Sequence, residues 1–90
     1  MKYGKYQFNE ITEACPQQFD VFNLRDNKLA AYVRIRHGVF TVRCPYCGGE
    51  EVLSMNVRGD GRLDMEEQEM VLTQAVLAID HYYAPEDPYF

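Results

Sequence analysis

Residues 29–44 constrain the fold more than any other stretch. Leu29, Ala31, Val33 and Ile35 alternate with Ala30, Tyr32, Arg34 and Arg36, and a period of two puts the first set on one face of a β-strand. His37-Gly38 stands where a two-residue hairpin turn belongs, and Val39 to Cys44 reads as the return strand. Pairing Arg36 with Val39 sets Ile35 beside Phe40, Val33 beside Val42 and Ala31 beside Cys44 on one face. Tyr32, Arg34, Thr41 and Arg43 fall on the other. A slip of one residue would turn the whole apolar set outward, so the register is well specified.

The flanking sequence extends this hairpin into a meander. Phe19 to Phe22 reads as a first short strand, Arg25-Asp26-Asn27-Lys28 as a turn, and Glu51 to Val57 as a third strand that adds Leu53 and Met55 to the core. Asn9 to Cys15 reads as one or two helical turns, capped by Asn9 and stopped by Pro16. After Gly59-Asp60-Gly61, Asp64 and Glu67 have capping-box spacing and open a helix that runs to about Tyr83. Met65, Leu72, Val76, Ile79 and Tyr83 form its core stripe, and Pro85 and Pro88 close it. Met70 and Leu77 lie on the opposite side, either as ordinary scattered surface residues or as a contact with a partner or a second copy. The expected fold is a single α+β domain over residues 1–90, a small antiparallel sheet of about four strands covered by one long C-terminal helix.

Composition narrows the class further. At 90 residues, 47% hydrophobic and 26% charged, the chain has one core and is too apolar for disorder. Its longest apolar runs are too short to span a bilayer, and its opening residues lack the apolar segment of a signal peptide, so the expected location is the cytoplasm, away from membranes. The net charge of −5 is unevenly spread. Residues 25–62 are mildly basic, whereas residues 63–90 hold seven acids and no Lys or Arg. That acidic third opposes direct nucleic-acid binding, and it either serves solubility alone or favours basic protein surfaces. Glu66, Glu67 and Glu69, with Met70 and Leu77, are the candidate contact residues.

Three cysteines in a reducing compartment argue against a disulfide framework. Cys44-Pro45-Tyr46-Cys47-Gly48-Gly49 resembles half of a zinc-ribbon knuckle, a tight turn whose backbone N–H groups point at two thiolates. Cys15 supplies a third thiolate. His37 lies at the hairpin turn, roughly 20 Å from Cys44 at about 3.3 Å per residue, and is excluded. A helix from Asp64 rises roughly 25 Å by His81 at about 1.5 Å per residue, which returns it to the knuckle. The candidate structural zinc (Zn2+) ligands are therefore Cys15, Cys44, Cys47 and His81, with Asp80 or a second chain as alternative sources of the fourth. Cys-Pro-Tyr-Cys also resembles the glutaredoxin active site, which implies a thiol-disulfide oxidoreductase. In that family the motif opens a helix that stabilises the first thiolate, whereas strand-like sequence follows the glycines here; the remaining reading leaves Cys15 and Cys44 as small buried apolar residues and Cys47 as a surface thiol.

Two other constellations have simpler readings. Asn56 to Glu67 aligns partly with a calcium loop, but Arg58 occupies a ligand position and a strand precedes it. Tyr32, Arg34, Arg36 and Arg43 form an arginine-aromatic sheet face, either an ordinary solvated surface or a site where a zinc-ribbon-like accessory domain would contact nucleic acid. No nucleophilic triad, phosphate loop or carboxylate pair indicates an enzyme.

The acidic C-terminal third and the Cys15, Cys44, Cys47 set resemble, over the whole chain, the small phage-encoded inhibitors of bacterial defence, among them zinc-bearing anti-CRISPR proteins that block Cas9. The resemblance implies a zinc-stabilised binding protein that inhibits a basic nucleic-acid-handling host protein such as the Cas9 nuclease, and the chain is expected to be a monomer or a homodimer. The resemblance assigns no functional residue.

Overall fold

The structure is a computed structural model, and it describes residues 1–12, 17–59, 61 and 63–84. Among the described residues six strands and one helix follow in order: β1 (Lys2–Tyr3), β2 (Tyr6–Thr12), β3 (Gln17–Asn23), β4 (Leu29–Arg36), β5 (Val39–Cys44), β6 (Glu50–Asn56) and α1 (Gln68–Tyr83). The strands form one antiparallel meander in chain order, each hydrogen-bonded to its sequence neighbours. The α+β architecture is as expected, but the sheet has six strands in place of about four.

The central hairpin pairs Arg36 with Val39, Ile35 with Phe40, Val33 with Val42 and Tyr32 with Arg43. His37 and Gly38 turn it with φ of 54° and 73°, the left-handed pair that suits the twist of two antiparallel strands. Val33, Ile35, Phe40, Val42 and Cys44 are fully buried, and Tyr32, Arg34, Thr41 and Arg43 are half-exposed on the outer face. Leu53 and Met55 of β6 pack partly buried against the same core.

The helical turn expected over Asn9 to Cys15 is corrected. Asn9 to Thr12 belong to β2, paired with β3 from Tyr6↔Asn23 to Thr12↔Gln18, and Glu13 to Pro16 lie outside the described residues. Tyr6 and Phe8 are buried beside Phe19 and Val21. Their apolar area outweighs any capping preference of Asn9.

Helix α1 covers the inner face. Val71, Leu72, Ala75 and Ile79 are fully buried, spaced by three or four residues as a packed stripe requires. The helix packs on β5 and β6 and also on β1, so the twisted sheet curls until both of its edge strands reach one helix. The close approach at β1 uses Gly4, whose φ is 57° and where a Cβ would stand 2.8 Å from Val76 Cγ1. The Tyr6 hydroxyl donates to Asp80 Oδ1 at 2.6 Å, and the Tyr83 hydroxyl donates to the Ala30 carbonyl.

The helix begins later than its capping box suggests. Asp64 Oδ1 accepts from the Glu66 N–H at 2.8 Å and the Asp64 carbonyl accepts from the Glu67 N–H at 3.1 Å. Asp64 thus organises a preceding turn, and Glu67 takes the N-cap position without a side-chain cap bond. The Glu67 carboxylate instead accepts the Arg58 N–H at 2.6 Å. Met65, expected on the core stripe, is 88% exposed because it lies in that turn, where helical periodicity does not apply. Leu63 is buried just before the turn, held by buried Gln17, whose Oε1 accepts the Leu63 N–H at 2.8 Å while its Nε2 donates to Glu10.

Two substitutions separate the observed stripe from the expected one. Leu72→Ala lowers unfolding free energy by about 2–5 kcal/mol in urea titration, whereas Met65→Ala changes it by less than about 0.5 kcal/mol.

Candidate functional site

The meander places three functional candidates at known positions: the cysteine turn between β5 and β6, the outer sheet face, and the outer face of α1. The turn is held by backbone contacts. The Gly49 N–H donates to the Tyr46 carbonyl at 2.8 Å, and Arg43 Nη1 donates to the Gly49 carbonyl at 3.0 Å. A Cβ on Gly49 would stand 2.1 Å from the Cys44 carbonyl oxygen, so only glycine fits.

The two thiols of the turn have different surroundings. Cys44 ends a strand with its side chain in the core, and Cys47 is exposed. Burial, with the charge of Glu50 adding, pushes the Cys44 thiol from 9.0 up to about 12. Burial raises the Tyr32 hydroxyl on the outer face, with Arg34 opposing the shift and Cys47 and Asp20 adding to it. A redox dithiol needs the reverse, an accessible first thiol with a lowered pKa at a helix N-terminus.

The expected zinc ligands fall as follows. Cys15 lies outside the described residues. His81 is in the last turn of α1, which does return to the Cys44 end through Tyr6 and Asp80 as its rise predicts, but its side chain is exposed. Among the described residues no three His, Cys, Asp or Glu side chains come together where they could hold a metal ion.

What gathers around Cys44 is a different group. Burial raises the Tyr6 hydroxyl most, and then the hydrogen bond and charge of Asp80, with Cys44 and Tyr83 adding smaller amounts. No local pattern could have shown the Tyr6–Asp80 pair, because 74 residues separate its members.

The outer sheet face is partly committed to structure. The Tyr32 hydroxyl donates to Gln18 Oε1, and Arg43 is held by Gly49 and lies 4.0 Å from Glu51. Arg36 Nε donates to His37 Nε2 at 3.2 Å. Arg34 is half-exposed in a row with Gln18 and Thr41.

The outer face of α1 is more open. Glu69, Met70, Thr73, Gln74, Leu77 and His81 are all exposed, Met70 by 50% and Leu77 by 57%. Glu66 Oε2 lies 3.1 Å from Arg58 Nη1, with 81% of its side chain still exposed. Glu67 is half-buried and bound to the Arg58 N–H, so it belongs to the loop more than to the open face.

Comparison with known proteins finds no matching family model, no matching curated protein and no matching solved structure. No helix among the described residues is long and apolar enough to cross a membrane.

Two measurements check the thiol environments. In a Cys15→Ser background, a maleimide labels Cys47 in the native protein and reaches Cys44 only on unfolding. Cys44 and Tyr6 hold their protons more tightly folded than unfolded, so their stabilising effect is complete below the unfolded pKa and declines above it. Between pH 9.0 and about 12 the thiol alone removes up to about 1.4 kcal/mol per pH unit. Denaturant melts across that window show a slope that Cys44→Ala reduces.

Proposed function

We propose that this chain is a non-enzymatic binding protein whose contact surface is the outer face of α1. Its partner is a basic, nucleic-acid-handling protein, with the Cas9 nuclease as the specific candidate, and the bound chain blocks DNA loading or targeting. One observation carries the reading: Met70 and Leu77 are exposed on one outward stripe of α1, with exposed Glu69 on the same helix and exposed Glu66 in the turn before it, in a third of the chain that has no Lys or Arg. An apolar centre with a charged rim is the usual anatomy of a protein contact, and the acidic rim favours a basic partner and speeds encounter with it.

A structural zinc on the cysteine turn is a separate proposal, read directly by metal analysis of the purified chain. Stoichiometric zinc that is lost in Cys44→Ser supports it, and a metal-free chain whose melting temperature is unchanged by strong chelator overturns it.

Affinity capture with purified Cas9, repeated at rising salt, tests the contact. Leu77→Glu is expected to weaken capture about tenfold or more, the effect of losing a central apolar anchor, and salt weakens it further. The paired change Arg34→Ala and Arg36→Ala leaves it intact. Capture that survives Leu77→Glu overturns the reading. A salt-sensitive shift of free DNA that Arg34→Ala and Arg36→Ala abolish would move the function to the sheet face.

A further inference from the structure

We infer that β6 is an open sheet edge that pairs antiparallel with β6 of a second copy of the chain, joining two sheets across a two-fold axis at Met55. The inference concerns a different surface from the α1 contact and does not draw on it. Among the described residues β6 is the last strand of the sheet, so one of its edges faces no other strand. The Val57 N–H donates to the Gly38 carbonyl at 2.8 Å, which turns the Val57 backbone toward β5. Backbone direction alternates along a strand, so Met55 and Leu53 also face β5, while Ser54 and Asn56 aim their N–H and C=O groups outward. The Arg58 N–H, next in the outward series, follows the same alternation: it leaves the sheet and donates to the Glu67 carboxylate at 2.6 Å. Ser54 and Asn56 are both exposed.

An outward row of backbone donors and acceptors is matched by another extended backbone. Natural edges are usually blunted by a charge or a proline, and Val52-Leu53-Ser54-Met55-Asn56-Val57 contains neither. The ends of this run are closed by other means. Glu67 covers the Arg58 N–H at one end. At the other, Val42 pairs with Leu53 and Arg43 with Glu51, so Val52 is a bulged residue at which the strand bends. Residues 53–57 are the stretch left open, and Met55 is its centre.

That stretch matches itself, as a two-fold contact must. Pairing about Met55 sets Ser54 opposite Asn56 of the second copy, twice over, and each such pair exchanges both of its backbone hydrogen bonds. The same register sets Met55 against Met55 and Leu53 against Val57. Leu53, Met55 and Val57 lie partly buried beside the core, so the apolar face of one sheet continues into that of the other. Ser54 and Asn56 likewise continue the polar outer face. A slip of one residue would set apolar side chains opposite polar ones. Antiparallel pairing also brings the Glu50-Glu51 end of each strand to the Arg58 end of the other, which joins unlike charges. The open stretch is roughly 17 Å long at about 3.4 Å per residue, the small end of specific interfaces, so the association is weak.

Sedimentation equilibrium of the full chain in reducing buffer, from about 10 μM to about 1 mM, tests this. The expected result is a reversible monomer–dimer equilibrium with no higher species. Ser54→Lys combined with Asn56→Lys sets like charges opposite each other and weakens the dimer at least about tenfold. It leaves the melting temperature unchanged, because both residues are exposed. Ser54→Lys combined with Asn56→Glu sets unlike charges together in the same register and restores association to within about threefold of the parent. Met55→Cys, in a Cys15→Ser and Cys47→Ser background, places two thiols at a pair whose Cα atoms are about 4.5 Å apart, and oxidised glutathione links the two copies there. Leu53→Cys in the same background does not link. A monomer at every concentration, a dimer indifferent to the two lysines, or a lysine–glutamate pair that fails to restore it would each overturn the inference. Linkage at position 53 in place of 55, or open-ended assembly in place of a closed pair, would overturn it as well.

Discussion

A sheet with one apolar face has to be covered, and this chain has a single described helix to cover six strands. Much of the architecture follows from that limit. Flat, the sheet would leave its outer strands beyond the reach of α1. Curled, it brings β1 and β6 to the same helix and encloses Phe8, Phe19, Phe40, Leu72 and Ile79 together. The curl follows the natural twist of antiparallel strands, and it requires the β1–β2 turn to approach the helix so closely that position 4 has no room for a side chain. The helix is consequently two-sided: Val71, Leu72, Ala75 and Ile79 face the core, and the opposite side is left to solvent or to another protein.

How much of this was legible depended on how local the deciding interactions were. The β4–β5 hairpin could be read residue by residue because a two-residue turn and two matching alternations fix the same register. The body of α1 was legible for a similar reason. Asn9 misled because its capping preference is a signal of one helical turn, and β2 is decided by its pairing with β3, which buries Tyr6 and Phe8 beside Phe19 and Val21. Met65 misled because the helical period was extended through a turn that Asp64 and Arg58 stabilise in a different geometry. The candidate contact face was visible as Met70 and Leu77 opposite the core stripe, and the structure leaves both exposed.

The cysteine motif shows how one short sequence supports several chemistries until its setting is known. Cys-Pro-Tyr-Cys before a helix would favour a thiolate, and between strands it favours a turn. Here the alternation of β5 directs Cys44 into the core and the turn leaves Cys47 in solvent. Spacing specified that the two residues are near in sequence. It did not specify that their side chains occupy media of such different polarity, which depends on the strand pairing beyond the motif.

The Tyr6–Asp80 hydrogen bond joins the start of β2 to the last turn of α1. During translation the sheet's strands leave the ribosome first, and their apolar face stays uncovered until residues 68–83 have followed. The nascent meander therefore passes through an interval in which its oily side is bare, and the docking of the helix ends that exposure.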